Sequence, residues 1–183
     1  MTADPPPKPP TVPGLRLVLV GLMGSGKSTV GCAAATRLVV PYIDNDDEIA
    51  RLAGEPTVEL ARRGGDELHR WEAAYADALH RRRAPYIAGL PASCADRPSE
   101  LWALRRDAVV VYLRCDANTL IDRVTQDTPR PWLDTDNSRG FVEQTLARRD
   151  PVLSSLAHQI LDATAALPTI VNALVRLAAP SNR

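Results

Sequence analysis

Cysteine is scarce in this chain. Cys32, Cys94 and Cys115 are odd in number and far apart, so they form neither a metal-ligand pair nor a disulfide framework. We read them as reduced thiols of a cytosolic protein. Net charge is missing too: twenty-two Lys and Arg residues cancel twenty-two Asp and Glu residues. A balanced chain offers no basic surface for nucleic acid or for a membrane. No apolar run is long enough to cross a bilayer, and the N-terminus has no basic-then-apolar targeting pattern. There is no internal repeat and no Asn-Lys-x-Asp guanine signature. Chains of 183 residues bury roughly two-thirds of their unfolded surface. This one therefore needs neither disulfides nor metal to fold.

Proline, by contrast, crowds the first residues. Pro5, Pro6, Pro7, Pro9, Pro10 and Pro13 predict an extended, disordered leader over 1–14. Beyond it, short apolar runs alternate with helical patterns. Leu15–Val20, Val39–Ile43, Tyr86–Ala88, Val109–Leu113 and His158–Leu161 read as strands. Helices are expected over Ser28–Leu38, Asp46–Leu52, Thr57–Arg63, Asp66–Arg83, Thr119–Thr125, Phe141–Arg149 and Pro168–Ala178. In the longest, Leu68, Trp71, Tyr75 and Leu79 share one face. A loop with Gly89, Pro91 and Pro98 precedes the fourth strand. The polar, turn-rich stretch 126–140 reads as a mobile lid. Alternating strands and helices predict a parallel sheet covered on both faces, an α/β fold.

The run from Gly21 to Ser28 matches G-x-x-x-x-G-K-[ST] between a strand and a helix. That pattern uses glycine so that the backbone wraps phosphate oxygens. Gly24, Ser25 and Gly26 would present N–H groups as an anion nest, aided by the following helix N-terminus. Lys27 would reach the transferred phosphoryl group and Ser28 would ligate magnesium, with Thr29 completing the nucleotide site. The expected cofactors are ATP and Mg2+. By itself the loop does not separate kinases, GTPases, motor ATPases and regulators.

From Gly21 to Gly31, and again at Asp44-Asn45-Asp46 after a short strand, the chain resembles the shikimate kinase family. The likeness runs from about Leu15 to Leu174. It implies a three-layer α/β/α P-loop kinase fold, its five-stranded parallel sheet in the order 2-3-1-4-5. It also implies that Asp44 lies by the magnesium and that Asp46 accepts from, and helps deprotonate, the acceptor alcohol. By the same resemblance Arg130 is the lid arginine that neutralises transition-state charge. Arg123 lies against adenine, and Arg149 grips the acceptor carboxylate, a task suited to a guanidinium. His80 and Arg81-Arg82-Arg83 end a helix, where basic residues complement the dipole. Trp132 is either an acceptor cover or lid packing.

Two family motifs differ here. His69 stands where the family has a second carboxylate-gripping arginine, while Glu72 is kept. Arg70 points about 100° around the helix from it. The family's triple glycine is replaced: at most Gly89 survives, and counting back from Pro98 sets Pro91-Ala92-Ser93 opposite the three glycines. The substrate-side candidates are thus Asp46, His69, Gly89 and Arg149. Three readings stay open: a shikimate kinase, a kinase of another polyol or cyclitol, and a nucleotide-binding protein with little catalysis. The expected protein is a monomeric cytoplasmic kinase domain over 15–178 with a short tail over 179–183. Its partner is a small-molecule hydroxyl acceptor, with no nucleic acid and no membrane.

Overall fold

The computed structural model describes residues 14–126 and 138–178. The expected leader up to residue 13, the lid residues 127–137 with Arg130 and Trp132, and the 179–183 tail lie outside the described residues.

Strand β1 (Arg16–Val20) has four consecutive fully buried positions and no polar alternation. A strand covered on both faces reads that way, and β1 is central. It pairs in parallel with β3 (Tyr86–Leu90) on one side and β4 (Val109–Arg114) on the other. β2 (Tyr42–Ile43) and β5 (Gln159–Asp162) close the edges, and the order is β2-β3-β1-β4-β5, as expected. Helices α1 (Lys27–Leu38) and α8 (Leu167–Ala178) pack together. Helix α4 (Gly65–Arg81) packs on α5 (Pro98–Asp107), and α5 on α7 (Ser138–Leu156). With right-handed crossovers, these two groups cover opposite faces of the sheet.

Several boundaries differ from expectation. β2 is short because Val39 caps α1 in a left-handed conformation (φ 55°) and Pro41 follows. β3 continues through Gly89 to Leu90 rather than ending at Ala88. The expected loop after it holds a 3₁₀ turn over Ala92–Asp96 and then α5, with Pro98 in its first turn and Leu101 and Leu104 buried. Helix α7 passes through Pro151 to Leu156. Proline there gives up one helix hydrogen bond, but burial of Leu153 and Leu156 holds the last turns down. At the same point Asp150 accepts from Tyr112 Oη and from both Nε and Nη2 of Arg114, fixing α7 to the end of β4.

Two further helices, α2 (Asn45–Ala53) and α3 (Thr57–Arg63), lead from β2 to α4. Helix α6 (Ala117–Gln126) follows β4. Because all strands run the same way, the segments after β1, β2 and β3 emerge at one edge of the sheet. That edge is where ligands bind in such folds.

Candidate functional site

The phosphate loop takes the conformation its glycines permit. Gly24 and Gly26 have φ of 81° and 85°, in the left-handed region. A Cβ on Gly24 would also press on Leu120 O at 3.1 Å. Ser25 is buried, and its N–H closes the turn on Leu22 O at 3.0 Å. Lys27 Nζ lies back along the loop, donating to Gly21 O at 2.8 Å. Arg123 braces the loop from α6, donating to Gly24 O at 3.2 Å and to Ala163 O at 3.0 Å.

Ser28 Oγ donates to Asp44 Oδ2 at 2.5 Å. The other Asp44 oxygen accepts from Asp46 N at 2.9 Å and so caps α2. A hydroxyl and a carboxylate at this spacing form a hard oxygen pair. Mg2+ is commonly held by one or two such groups together with substrate phosphates. Among the described residues there is no cluster of three or more His, Cys, Asp or Glu able to hold a metal unaided. Asn45 Nδ2 donates to Asp46 Oδ1 at 2.7 Å and orients that carboxylate.

Beside the loop lies a cavity of about 690 Å3. Gly24, Gly26, Lys27, Ser28, Thr29 and Arg123 wall one end. Asp46, His69, Glu72, Ser93, Arg148 and Arg149 wall the other. The cavity thus joins residues from six separate stretches of sequence. Gly89 is not in its wall. It lies inside β3, and a Cβ there would meet Asn45 Oδ1 at 2.8 Å and Tyr42 Oη at 3.0 Å. The residue's smallness admits α2 and Tyr42 to the sheet, while Pro91, Ala92 and Ser93 face the cavity. Gly89→Ala is accordingly expected to destabilise the fold by about 1–3 kcal/mol through overpacking. Thermal unfolding of the purified variant measures this.

The acceptor end carries a buried carboxylate. Glu72 is only 8% exposed. Ser93 Oγ donates to its Oε2 at 2.6 Å, His69 Nδ1 stands 3.5 Å from the same oxygen, and Arg97 Nη2 stands 4.0 Å away. Burial raises the Glu72 pKa above its ordinary value, opposed by the Ser93 hydrogen bond and by the charges of His69, Arg97 and Arg149. Arg149 turns two donors, Nε and Nη2, to Asp96 Oδ2 at 3.1 and 2.6 Å. Arg148 Nη1 lies 3.4 Å from the other Asp96 oxygen. Arg70 is elsewhere, paired with Glu67 and lying over the Trp71 ring at 5.2 Å. In the 3₁₀ turn, burial pushes the Cys94 thiol up to about 12, so it stays protonated. Asp96, Arg97 and Arg148 were not among the sequence candidates. Only the 3₁₀ turn and its packing against α7 bring them together.

Residues 23–178 match the family model described as shikimate kinase. The chain belongs to the shikimate kinase family. It is therefore an ATP-dependent small-molecule kinase. The shikimate kinase of Ralstonia nicotianae is 36% identical over 144 residues, covering 78% of this chain and 75% of that protein. That of Burkholderia thailandensis is 32% identical over 150 residues, covering 82% of each. In structure, the shikimate kinase from Acinetobacter baumannii in complex with shikimate superposes with a TM-score of 0.82 at 25% identity. It covers 89% of this chain and 92% of that one. Family membership fits the arrangement of the cavity, with a phosphate loop at one end and a mixed acid and arginine cluster at the other. As in the sequence comparison above, this member carries His69 and Ser93 at its acceptor end.

Proposed function

We propose that this protein transfers the terminal phosphoryl group of ATP to a hydroxyl of shikimate. The observation that supports this best is that Lys27, Asp46 and Arg149 line one cavity. In this reading Lys27 and the loop amides hold the β- and γ-phosphates, and Arg123 lies against the adenine. Ser28 and Asp44 would hold Mg2+, which when bound neutralises phosphate charge. Asp46 orients the acceptor hydroxyl and takes its proton. Arg149 grips the acceptor carboxylate, and Arg130 closes over the transferred group. The protein works as a cytoplasmic monomer on a small molecule, without nucleic acid or membrane. Because Pro91–Ser93 and not Gly89 wall the cavity, the acceptor meets side chains where the family presents glycine backbone.

ADP release measured over shikimate, quinate and a set of cyclitols tests the reading. Shikimate is expected to give the highest kcat/KM. A cyclitol turned over in its place would support the second reading, which His69 and Ser93 favour. ATP binding without any turnover would support a non-catalytic role.

Asp96 supplies a sharper test. It holds the Nε–Nη2 edge of Arg149 but is not itself in the cavity wall. Without it the guanidinium is drawn toward buried Glu72, whose field it already feels. Hydrogen bonds to charged groups contribute roughly 1.5–3 kcal/mol. Asp96→Ala is therefore expected to raise the acceptor KM about tenfold or more while leaving the ATP KM unchanged. Asp96→Asn, which still accepts from Arg149, should recover much of that loss.

A further inference from the structure

His69 turns its inner nitrogen toward Glu72. Nδ1 is buried, has no hydrogen-bond partner and stands 3.5 Å from Glu72 Oε2. The ring lines the acceptor end of the cavity. Nε2 lies on the side of Gly65, another residue of the cavity wall, at 3.9 Å from a Cβ built there. A carboxylate beside one imidazole nitrogen favours the proton on that nitrogen and leaves the other to the cavity. In the neutral ring Nε2 accepts a hydrogen bond. In the protonated ring it donates one and carries charge.

The surroundings make that charge decisive. Glu72 faces His69 from its own helix. Asp96 and Arg97 come from the 3₁₀ turn and the start of α5, Arg148 and Arg149 from α7, and Asp46 from α2 across the cavity. Three guanidiniums and three carboxylates cancel. The sign of the acceptor end then depends on the imidazole alone.

We propose that His69 makes acceptor recognition pH-dependent. Protonated, it gives the acceptor end one net positive charge and binds a hydroxy acid with a single carboxylate. Neutral, it removes that charge and offers only a hydrogen-bond acceptor, which suits an uncharged polyol. This rests on the kinase reading above and deepens it by naming what the acceptor end selects at each pH.

The test is calorimetric titration of shikimate into the full chain saturated with ADP, at pH 6.0 and pH 8.0. Shikimate stays a carboxylate at both. Loss of the imidazolium charge is expected to make Kd roughly tenfold weaker at pH 8.0. His69→Gln should bind weakly and equally at both pH values. His69→Arg should bind tightly and equally at both. ADP affinity, measured for every variant, should match the unsubstituted protein at the same pH and so exclude misfolding. A wild-type Kd that changes less than twofold, or a pH dependence that persists in His69→Gln, overturns the proposal. So does absence of shikimate binding at both pH values. Whether the kinase reading falls with it is decided separately, by ADP release over the acceptor panel.

Discussion

Lys27→Ala is expected to abolish measurable Mg-ATP binding and to lower kcat/KM for ATP by about 10³-fold or more. The reason lies in what the loop provides without its lysine. Backbone N–H groups around Gly24 and Gly26 contribute partial charges, and the N-terminus of α1 adds to them. Lys27 Nζ brings a full charge to the loop, within hydrogen-bond distance of Gly21 O and Leu22 O. In the proposed reading, bound phosphates draw it off those carbonyls. Alanine removes that charge and leaves the α1 backbone intact, since it is a strong helix former. The lost Lys27–Gly21 bond to a charged donor is worth roughly 1.5–3 kcal/mol, so the variant should fold with a modestly lower Tm. Equilibrium nucleotide titration combined with a thermal melt separates the two effects. Normal ATP binding by the folded variant would remove the phosphate-loop assignment. Lys27→Arg keeps the charge but replaces a compact ammonium by a planar fork, and it should recover only part of the binding.

The donor half of the site was legible from sequence because its chemistry is local. Gly24, Gly26, Lys27 and Ser28 act within one strand-loop-helix unit, so spacing alone set their relative positions. The sheet order followed from the family resemblance, and the buried run of β1 agrees with its central place. The acceptor half was less legible because its partners meet only in three dimensions. Asp96 and Arg149 are bonded across 53 positions, and Ser93 and Glu72 across 21. Gly89 shows the same limit. Its sequence suggests a backbone open to substrate, but its place opposite Asn45 and Tyr42 is a packing requirement. Helix α5 was hidden for another reason. Pro91 and Pro98 punctuate the segment as a loop would, yet Pro98 begins the helix, where its missing N–H breaks no bond. Helix α7 likewise runs past its expected end at Arg149: Pro151 sits within it because Asp150 and Leu153 secure the helix on either side.

Asp46→Asn is expected to lower kcat by about 10²–10⁴-fold while leaving ATP affinity within about threefold. Asp46 lines the cavity from the first turn of α2. In the proposed reading, nucleotide and metal contacts fall to Lys27, Ser28 and Asp44 instead. The substitution preserves shape, and the new amide oxygen still accepts from Asn45 Nδ2, now 2.7 Å from the Asp46 carboxylate. What disappears is the capacity to take a proton and the negative charge that aligns the acceptor hydroxyl. In phosphoryl transfer a carboxylate can accept the proton of the attacking hydroxyl or position that hydroxyl in line. Two roles for Asp46 therefore predict different kinetics. If it chiefly receives the proton, kcat falls and the acceptor KM barely moves. If it chiefly orients the hydroxyl, kcat falls about tenfold or less and the acceptor KM rises in step. We expect the first pattern, because Asn45 holds Asp46 at the cavity wall while Arg149, in the proposed reading, grips the acceptor. Steady-state kinetics with each substrate varied in turn decides between them. A variant with unchanged kcat and acceptor KM would remove Asp46 from the reaction and leave only the phosphate-loop half of the site as assigned.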